Sequence, residues 1–478
     1  MGPLLFLIVT MNDPFLYLFL AILTGIATIP FGITFLKRRK DIFEPICWAS
    51  AFFLLLFVVR AVFDLTLGSA FISPPFDERT AHAFTLAVLY LIPSLICFLI
   101  GYYSNLGYDI ARAFPSLPLS WRNERVTLLL PLLISVGLTS QFLLIQYLGG
   151  LSNYLDDKQH TLTEPGQGYW AAGVSLIPLA FGVALTRCLV DKNGWIVTYL
   201  MLLPLVLVLG LISGSKAAFL GPFLAMLVSV HYLRRRVNLG VIVLFALLAI
   251  LVFPLFNLYR QVGTIDRMVE TVDQLPNSLY GDDLPPEEVG VMLVRSALSR
   301  FLGIDSLTYI IRDTPDVMDF QYGRTVLGAV LAWVPRQVWA DKPVGFAQLF
   351  GETYLGHIFY GTGTAAAPTL LGEAYLNWHI GGMVVLALLC GVLVRCSYAY
   401  LIELQFGQPA VFLYSCLFLH LFTFWERSID GIVVATLTLL FEAVVVILLV
   451  GGRSVPKGSF LHDALQLRRA SNGPSGNQ

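Results

Sequence analysis

Apolar runs near the length needed to cross a bilayer recur along most of this chain, and nothing else in it constrains the fold as strongly. Counted at roughly 20 residues each, about eleven runs are centred near Ile22, Leu55, Leu91, Ile134, Leu179, Leu205, Ala225, Leu247, Leu388, Leu417 and Leu440. Hydrophobic residues make up 57% of the chain and charged residues 13%, about half the charged share of a soluble domain. The expectation is an all-α, polytopic integral membrane protein with one long extracytoplasmic loop. Net charge is −1, so no bulk attraction to nucleic acid is expected. Cys47, Cys97, Cys188, Cys390, Cys396 and Cys416 lie in or beside apolar runs and read as small buried hydrophobes. Met1 to Thr10 lack a basic segment and a small-residue cleavage site, which argues against a cleaved signal peptide.

Positive charge sets the expected orientation. Lys37, Arg38, Arg39 and Lys40 follow the first run, and Arg112, Arg122 and Arg125 follow the third. Arg187 and Lys192 follow the fifth, Arg234 to Arg236 the seventh, and Arg453, Lys457, Arg468 and Arg469 the last. If the runs alternate, all these clusters share one side. The opposite short loops hold only isolated cations: Arg79, Lys158, Lys216 and Arg427. The N-terminus is therefore expected outside and the C-terminus in the cytoplasm. Four regions follow: a transmembrane bundle over 1–256 with about eight spans, an external loop over 257–368, about three further spans over 369–452, and a disordered polar tail over 453–478. Ser213, Gly214, Ser215 and Lys216 form a tight turn that fits a helical hairpin.

The long loop is too long to be a structureless connection, and such loops are usually functional. Asp283, Leu284, Pro285, Pro286, Glu287 and Glu288 look like a helix start, followed by Val291, Val294, Leu298 and Phe301 at helical spacing. Val326 to Val334 is apolar but too short to span, and reads as an interfacial or re-entrant helix stopped by Pro335. The loop's cations include Arg260, Arg295, Arg300, Arg324, Arg336 and Lys342. Arginine's planar fork grips phosphate in a bidentate way, and lysine adds a point charge. The loop holds more acids than bases, so any phosphate site must be local. Arg295 or Arg300 is expected to pair with Asp305 or a nearby glutamate. The plain alternative is solvated loop charge or headgroup contact.

Two further constellations bear on chemistry. In Gly372, Glu373, Ala374, Tyr375, Leu376, Asn377, Trp378 and His379, Glu373 and Asn377 share a helix face. Glu373 is expected either to act as a general base or, preferably, to hold an arginine in place. His379 and His357 are candidate proton carriers, with a hydrogen-bonded structural histidine the preferred reading of each. Inside the second run, Arg60 and Asp64 are four apart and can pair, which makes each tolerable in hydrocarbon. Glu426, Arg427, Asp430 and Glu442 are candidates to line the same cavity.

Taken together, these motifs resemble a known family. Gly323-Arg324-Thr325, then Pro335-Arg336-Gln337-Val338-Trp339-Ala340-Asp341-Lys342-Pro343, then Gly372 to Asn377 resemble the bacterial oligosaccharide repeat-unit polymerases, the Wzy-type O-antigen and exopolysaccharide polymerases. Ser213 to Lys216 resembles that family's Ser-Gly-Ser-Arg turn, and Gly149 to Tyr154 its earlier external loop. Lys216 stands where arginine is frequent, and Trp378-His379 where Phe-Gly is frequent. The resemblance implies a GT-C-like membrane enzyme that makes an inverting glycosyl transfer in the periplasm. A glycan on undecaprenyl diphosphate would move onto the next lipid-linked repeat unit. It implies a bacterial inner-membrane location, no cofactor and no metal, and pathway partners such as a flippase and a chain-length regulator. On this reading Glu373, Arg336 and Asp305 are the catalytic candidates. Arg260, Arg295, Arg300, Arg324, Arg336, Lys342, Tyr375, Asn377 and Lys216 are the substrate-binding candidates. A ligase moving glycan onto a lipid A core uses the same donor, and a flippase of an anionic glycolipid is a third reading. Cations concentrated in one external loop favour an enzyme over a flippase.

Overall fold

The structure is a computed structural model, and it describes residues 14–37, 41–67, 77–156, 167–190, 195–213, 215–248, 301–332, 334, 338–339, 342–354 and 368–452. Among these residues there is no strand; one isolated bridge joins Trp121 to Gly451. Nine described helices are long and apolar enough to cross a membrane, and two shorter apolar helices, Thr198–Ile212 and Leu239–Leu248, coincide with the expected runs at Leu205 and Leu247. The protein is therefore an all-helical, multi-pass membrane protein. The helix start expected at Asp283 to Glu288 lies outside the described residues.

Helix α1 is Pro14–Leu36. Helix α2 starts with a proline in its first turn, runs over Pro45–Phe53, widens through a π-helical turn at Leu54–Val59 and resumes as Arg60–Leu67. Helix α3, Glu78–Tyr103, opens on Asp77, whose carboxylate accepts the Thr80 amide at 2.9 Å. Short α4, Leu106–Ala113, leads to α5, Asn123–Tyr147, and to α6, Leu151–Asp156. Helices α7, Gln167–Val190, α8, Trp195–Ile212, and α9, Lys216–Leu233, follow. The α8–α9 pair is the expected hairpin: Ser215 caps α9 by accepting the Ala218 amide at 3.3 Å. Next come α10, Leu239–Leu248, and three short helices, α11, Gly303–Asp313, α12, Arg324–Val330, and α13, Phe346–Tyr354. Helix α14, Leu370–Tyr398, continues through a π-helical turn at Ala399–Leu404. Helices α15, Gln408–Leu417, α16, His420–Thr423, and α17, Ile429–Val450, close the described chain.

Small residues let the central helices touch. A Cβ on Gly101 of α3 would collide with the Leu388 carbonyl of α14, and one on Gly391 with the Phe98 carbonyl. Without a hydrophobic drive between helices in lipid, such close backbone approach is what holds them together. The aromatic centre of the core lies beside this crossing. Trp425 is fully buried, donates Nε1 to the Ala49 carbonyl at 3.1 Å, and meets the rings of Phe53 and Phe98.

Helix α14 is not continuous. Trp378 (φ −144°, ψ 25°) and His379 (φ 56°, ψ −156°) break it after Asn377. His379 thus sits in a left-handed conformation that glycine adopts more easily. The eight residues before the break form a separate helical piece at one end of the bundle. That end also receives the C-terminus of α2 and the starts of α3, α12 and α17, through contacts detailed next. The other end gathers Asp41, Glu44, Tyr102, His231, Arg395 and Tyr398.

Candidate functional site

The first half of the site is a buried ion triad. The Arg60 guanidinium donates Nε to Asp305 Oδ2 at 2.9 Å and Nη2 to Asp305 Oδ1 at 3.2 Å, and lies 3.1 Å from Asp64 Oδ1. All three residues are buried. The expected Arg60–Asp64 pair is thus present but shared with a carboxylate 245 residues away. Among the described residues the partner of Asp305 is Arg60; Arg295 and Arg300, the partners expected from the sequence, lie outside them. Burial pushes the Asp305 carboxyl up and Arg60 pulls it back, with burial prevailing. Asp305 is therefore bound into the frame by a fork of two hydrogen bonds.

The second half is built on the short piece before the α14 break. Asn377 is fully buried and uses both ends of its amide. Its Oδ1 accepts the Gly323 amide at 2.7 Å, and its Nδ2 donates to Thr325 Oγ1 and to the Glu373 carbonyl, each at 2.8 Å. Gly323 has φ 89° and a Cβ there would press on the Trp378 ring, so this turn requires glycine. The Gly-Arg-Thr and Gly-Glu-Ala-Tyr-Leu-Asn segments, separated in sequence by an excursion of about fifty residues, are therefore one structural unit. Arg324, between Gly323 and Thr325, is exposed on the surface of that unit.

Glu373 is also fully buried. Its Oε2 accepts the Ile429 amide at 2.6 Å, at the N-terminus of α17, where a negative group suits the helix dipole. Among the described residues its Oε1 makes no hydrogen bond, nor does Oδ1 of Asp430 in the first turn of α17. Glu373 thus holds a helix start in place, and the partner is an amide that sequence reasoning did not name. Its side chain is sealed from solvent beside the start of α17. Tyr375 is buried in a ring cluster, with His379 at 4.7 Å, Tyr90 at 6.1 Å and Phe320 at 6.2 Å between centroids.

Lys342 caps the far side of α12, donating Nζ to the carbonyls of Ala332 at 2.6 Å and Val334 at 3.2 Å. The expected helix over Val326 to Val334 is present but ends at Val330, and Lys342 takes up the carbonyls beyond its end. Lys216 begins α9 and is half-buried. Arg260, Arg295, Arg300, Arg336 and His357 lie outside the described residues. Glu442 does not join the site: it accepts the Ser175 hydroxyl at 2.6 Å, linking α17 to α7.

A third group here was not anticipated. Arg312 grips Asp313 through 2.6 and 2.7 Å bonds, donates to Thr80 Oγ1 at 3.2 Å, and stacks on the Tyr309 ring at 4.8 Å. Burial and Asp313 push the Tyr354 hydroxyl up, so it stays a neutral donor. The Arg312-Asp313 dipeptide is the only signal in the sequence, and adjacent opposite charges rarely mean more than solvated surface. Together the three groups fasten described parts of 301–354 to α2, α3, α14 and α17. The result is a polar platform with Arg324 exposed on its surface.

No group of three or more His, Cys, Asp or Glu among the described residues has the geometry of a metal site. No curated protein and no solved structure matches the chain. A family model described as a domain of unknown function matches residues 169–449, from α7 into α17. Asp305, Gly323, Thr325, Glu373 and Asn377 lie inside that stretch, and Arg60 and Asp64 lie before it. Because the match spans more than half of its length, the chain belongs to this family, DUF8712.

Proposed function

We propose that the protein is a membrane glycosyltransferase that polymerises undecaprenyl-diphosphate-linked oligosaccharide repeat units in the bacterial inner membrane. On this reading the platform faces the periplasm, the N-terminus is periplasmic and the C-terminus cytoplasmic. The observation that supports it best is the Asn377 bridge. Two motifs that carry the resemblance to repeat-unit polymerases meet through a fully buried side chain, at 2.7 Å to Gly323 and 2.8 Å to Thr325.

The reaction is a displacement at the anomeric carbon of the growing glycan. A hydroxyl of the next repeat unit forms the new bond. The carbon–oxygen bond to undecaprenyl diphosphate breaks, the diphosphate leaves with the electron pair, and the hydroxyl proton passes to solvent. Charge develops on the leaving group, so preorganised cations beside it lower the barrier. Arg336 and Arg324 are the residues proposed for this role. Asn377 and Glu373 act through the backbone they position.

The test is a lipid-linked glycan ladder from cells lacking the gene, complemented by variants and compared at equal protein by immunoblot. Deletion is expected to leave single repeats, and the wild type to restore long polymer. Arg336→Ala and Arg336→Lys are each expected to lose long polymer, by roughly a hundredfold in rate, because an ammonium cannot replace the guanidinium fork. A ladder of normal length after deletion would overturn the polymerase reading. Polymer that accumulates on its lipid carrier but reaches no acceptor would turn it into a ligase.

A further inference from the structure

At the end of the bundle remote from the platform, a cavity of about 1210 Å³ is lined by the ends of α1, α3, α9 and α14. Its walls are braced. Asp41 accepts the hydroxyls of Tyr232 and Tyr398, each at 2.7 Å, and lies 3.4 Å from His231 Nε2. Burial alone would raise the Asp41 carboxyl, but these hydrogen bonds outweigh it and hold the group below the usual range. Glu44 accepts Lys37 at 2.8 Å and the Tyr102 hydroxyl at 3.1 Å. Glu403 takes a fork of two 2.9 Å bonds from Arg395, whose guanidinium also lies over the Tyr102, Tyr108 and Tyr398 rings.

Every carboxylate that lines this cavity therefore already has a partner. The rim also carries Arg234, Arg235 and Arg236, all exposed, and no acid among the described residues pairs with any of them. A polar bowl with three exposed guanidinium groups at its mouth, none paired with an acid among the described residues, suits an anion. Arginine forks match phosphate oxygens, and basic pockets between the ends of transmembrane helices hold phospholipid headgroups.

We infer that this cavity is a binding site for a phosphate-bearing anion, separate from the platform at the other end of the bundle. By the positive-inside rule this end faces the cytoplasm, so the ligand comes from the inner leaflet or the cytosol. Arg234 to Arg236 grip its phosphates, and the tyrosine-lined floor sets the shape of the bowl. The inference does not depend on the glycosyltransferase reading.

Full-length protein in neutral detergent, titrated with cardiolipin or with inorganic pyrophosphate and followed by native mass spectrometry, tests it. Each arginine lost should weaken binding about fivefold, and Arg234→Gln, Arg235→Gln and Arg236→Gln together on the order of a hundredfold. Arg122→Gln with Arg125→Gln, removing charge outside the cavity, should change nothing. The triple lysine replacement keeps the charge that directs topology and still weakens binding, because the fork is lost. The three arginines are exposed, so thermal stability should hold in every variant. Arginine-dependent binding of cardiolipin alone identifies a lipid ligand, and arginine-dependent binding of pyrophosphate a soluble one. Equal binding by wild type and the triple glutamine variant, or no binding of either probe, overturns the site.

Discussion

The two ends of the bundle treat charge in opposite ways. At the Asn377 end, Arg60, Asp64, Asp305, Glu373 and Asn377 are all buried, and their bonds tie segments far apart in sequence. At the Asp41 end, partnered acids brace a cavity whose mouth keeps three exposed arginines that pair with no acid among the described residues. Buried and matched, charge is part of the frame; exposed and unmatched, it is available to a ligand. A residue's chemical type does not tell these uses apart, since Arg60 and Arg234 are both arginines in or beside apolar helices.

The contrast can be broken most forcefully at Arg60. Arg60→Ala leaves two buried carboxylates without their cation, which should cost about 3–5 kcal/mol. Thermal unfolding in detergent and membrane yield should both fall sharply. A variant as stable as wild type would mean that the triad is not part of the frame. Asn377→Ala comes next. It removes the partner of the part-buried Gly323 amide and of the buried Thr325 hydroxyl, at about 1–3 kcal/mol for a buried group left unpaired and less for the Gly323 amide. Under the proposed function, long glycan should also be lost at equal protein, whereas undiminished polymer would separate the bridge from activity. The smallest effect belongs to the other end. Arg395→Ala removes an ion pair whose side chains are 20% and 36% exposed, worth at most about 1 kcal/mol. A loss there as large as that of Arg60→Ala would erase the distinction between the two ends.

Periodicity and length made the helices legible. The expected run centred near Leu388 lies within α14, and those near Leu205 and Leu247 contain the shorter apolar helices. Local pairings were legible too: Arg60 with Asp64, and Glu373 sharing a face with Asn377, both follow from four-residue spacing. The long-range partners were not. Nothing within a helical turn of Arg60 points to Asp305, and nothing beside Asn377 points to Gly323. The break in α14 was hidden because Trp378 and His379 do not usually interrupt a helix. The only hint was the Phe-Gly common at that place in the resembling family, where glycine would adopt φ 56° without strain. The Asp41 cavity draws on helix ends far apart in sequence, and of its lining only Lys37 and the Arg234 to Arg236 cluster stood out beforehand, as topology signals.

The wide turn at Leu54–Val59 has a consequence for how this span can change over time. A π-helical turn holds one residue more than the α-helix around it, and each residue turns the helix by about 100°. The extra residue therefore re-phases α2, so that Phe53 and Phe57 face the aromatic core while Arg60 faces α11. Removing any one residue between Leu54 and Val59 would leave the span long enough to cross the bilayer, yet swing Arg60 away from Asp305. The span tolerates exchange of its apolar residues far more readily than a change in their number, and descent from a common ancestor should leave its length fixed while its letters drift.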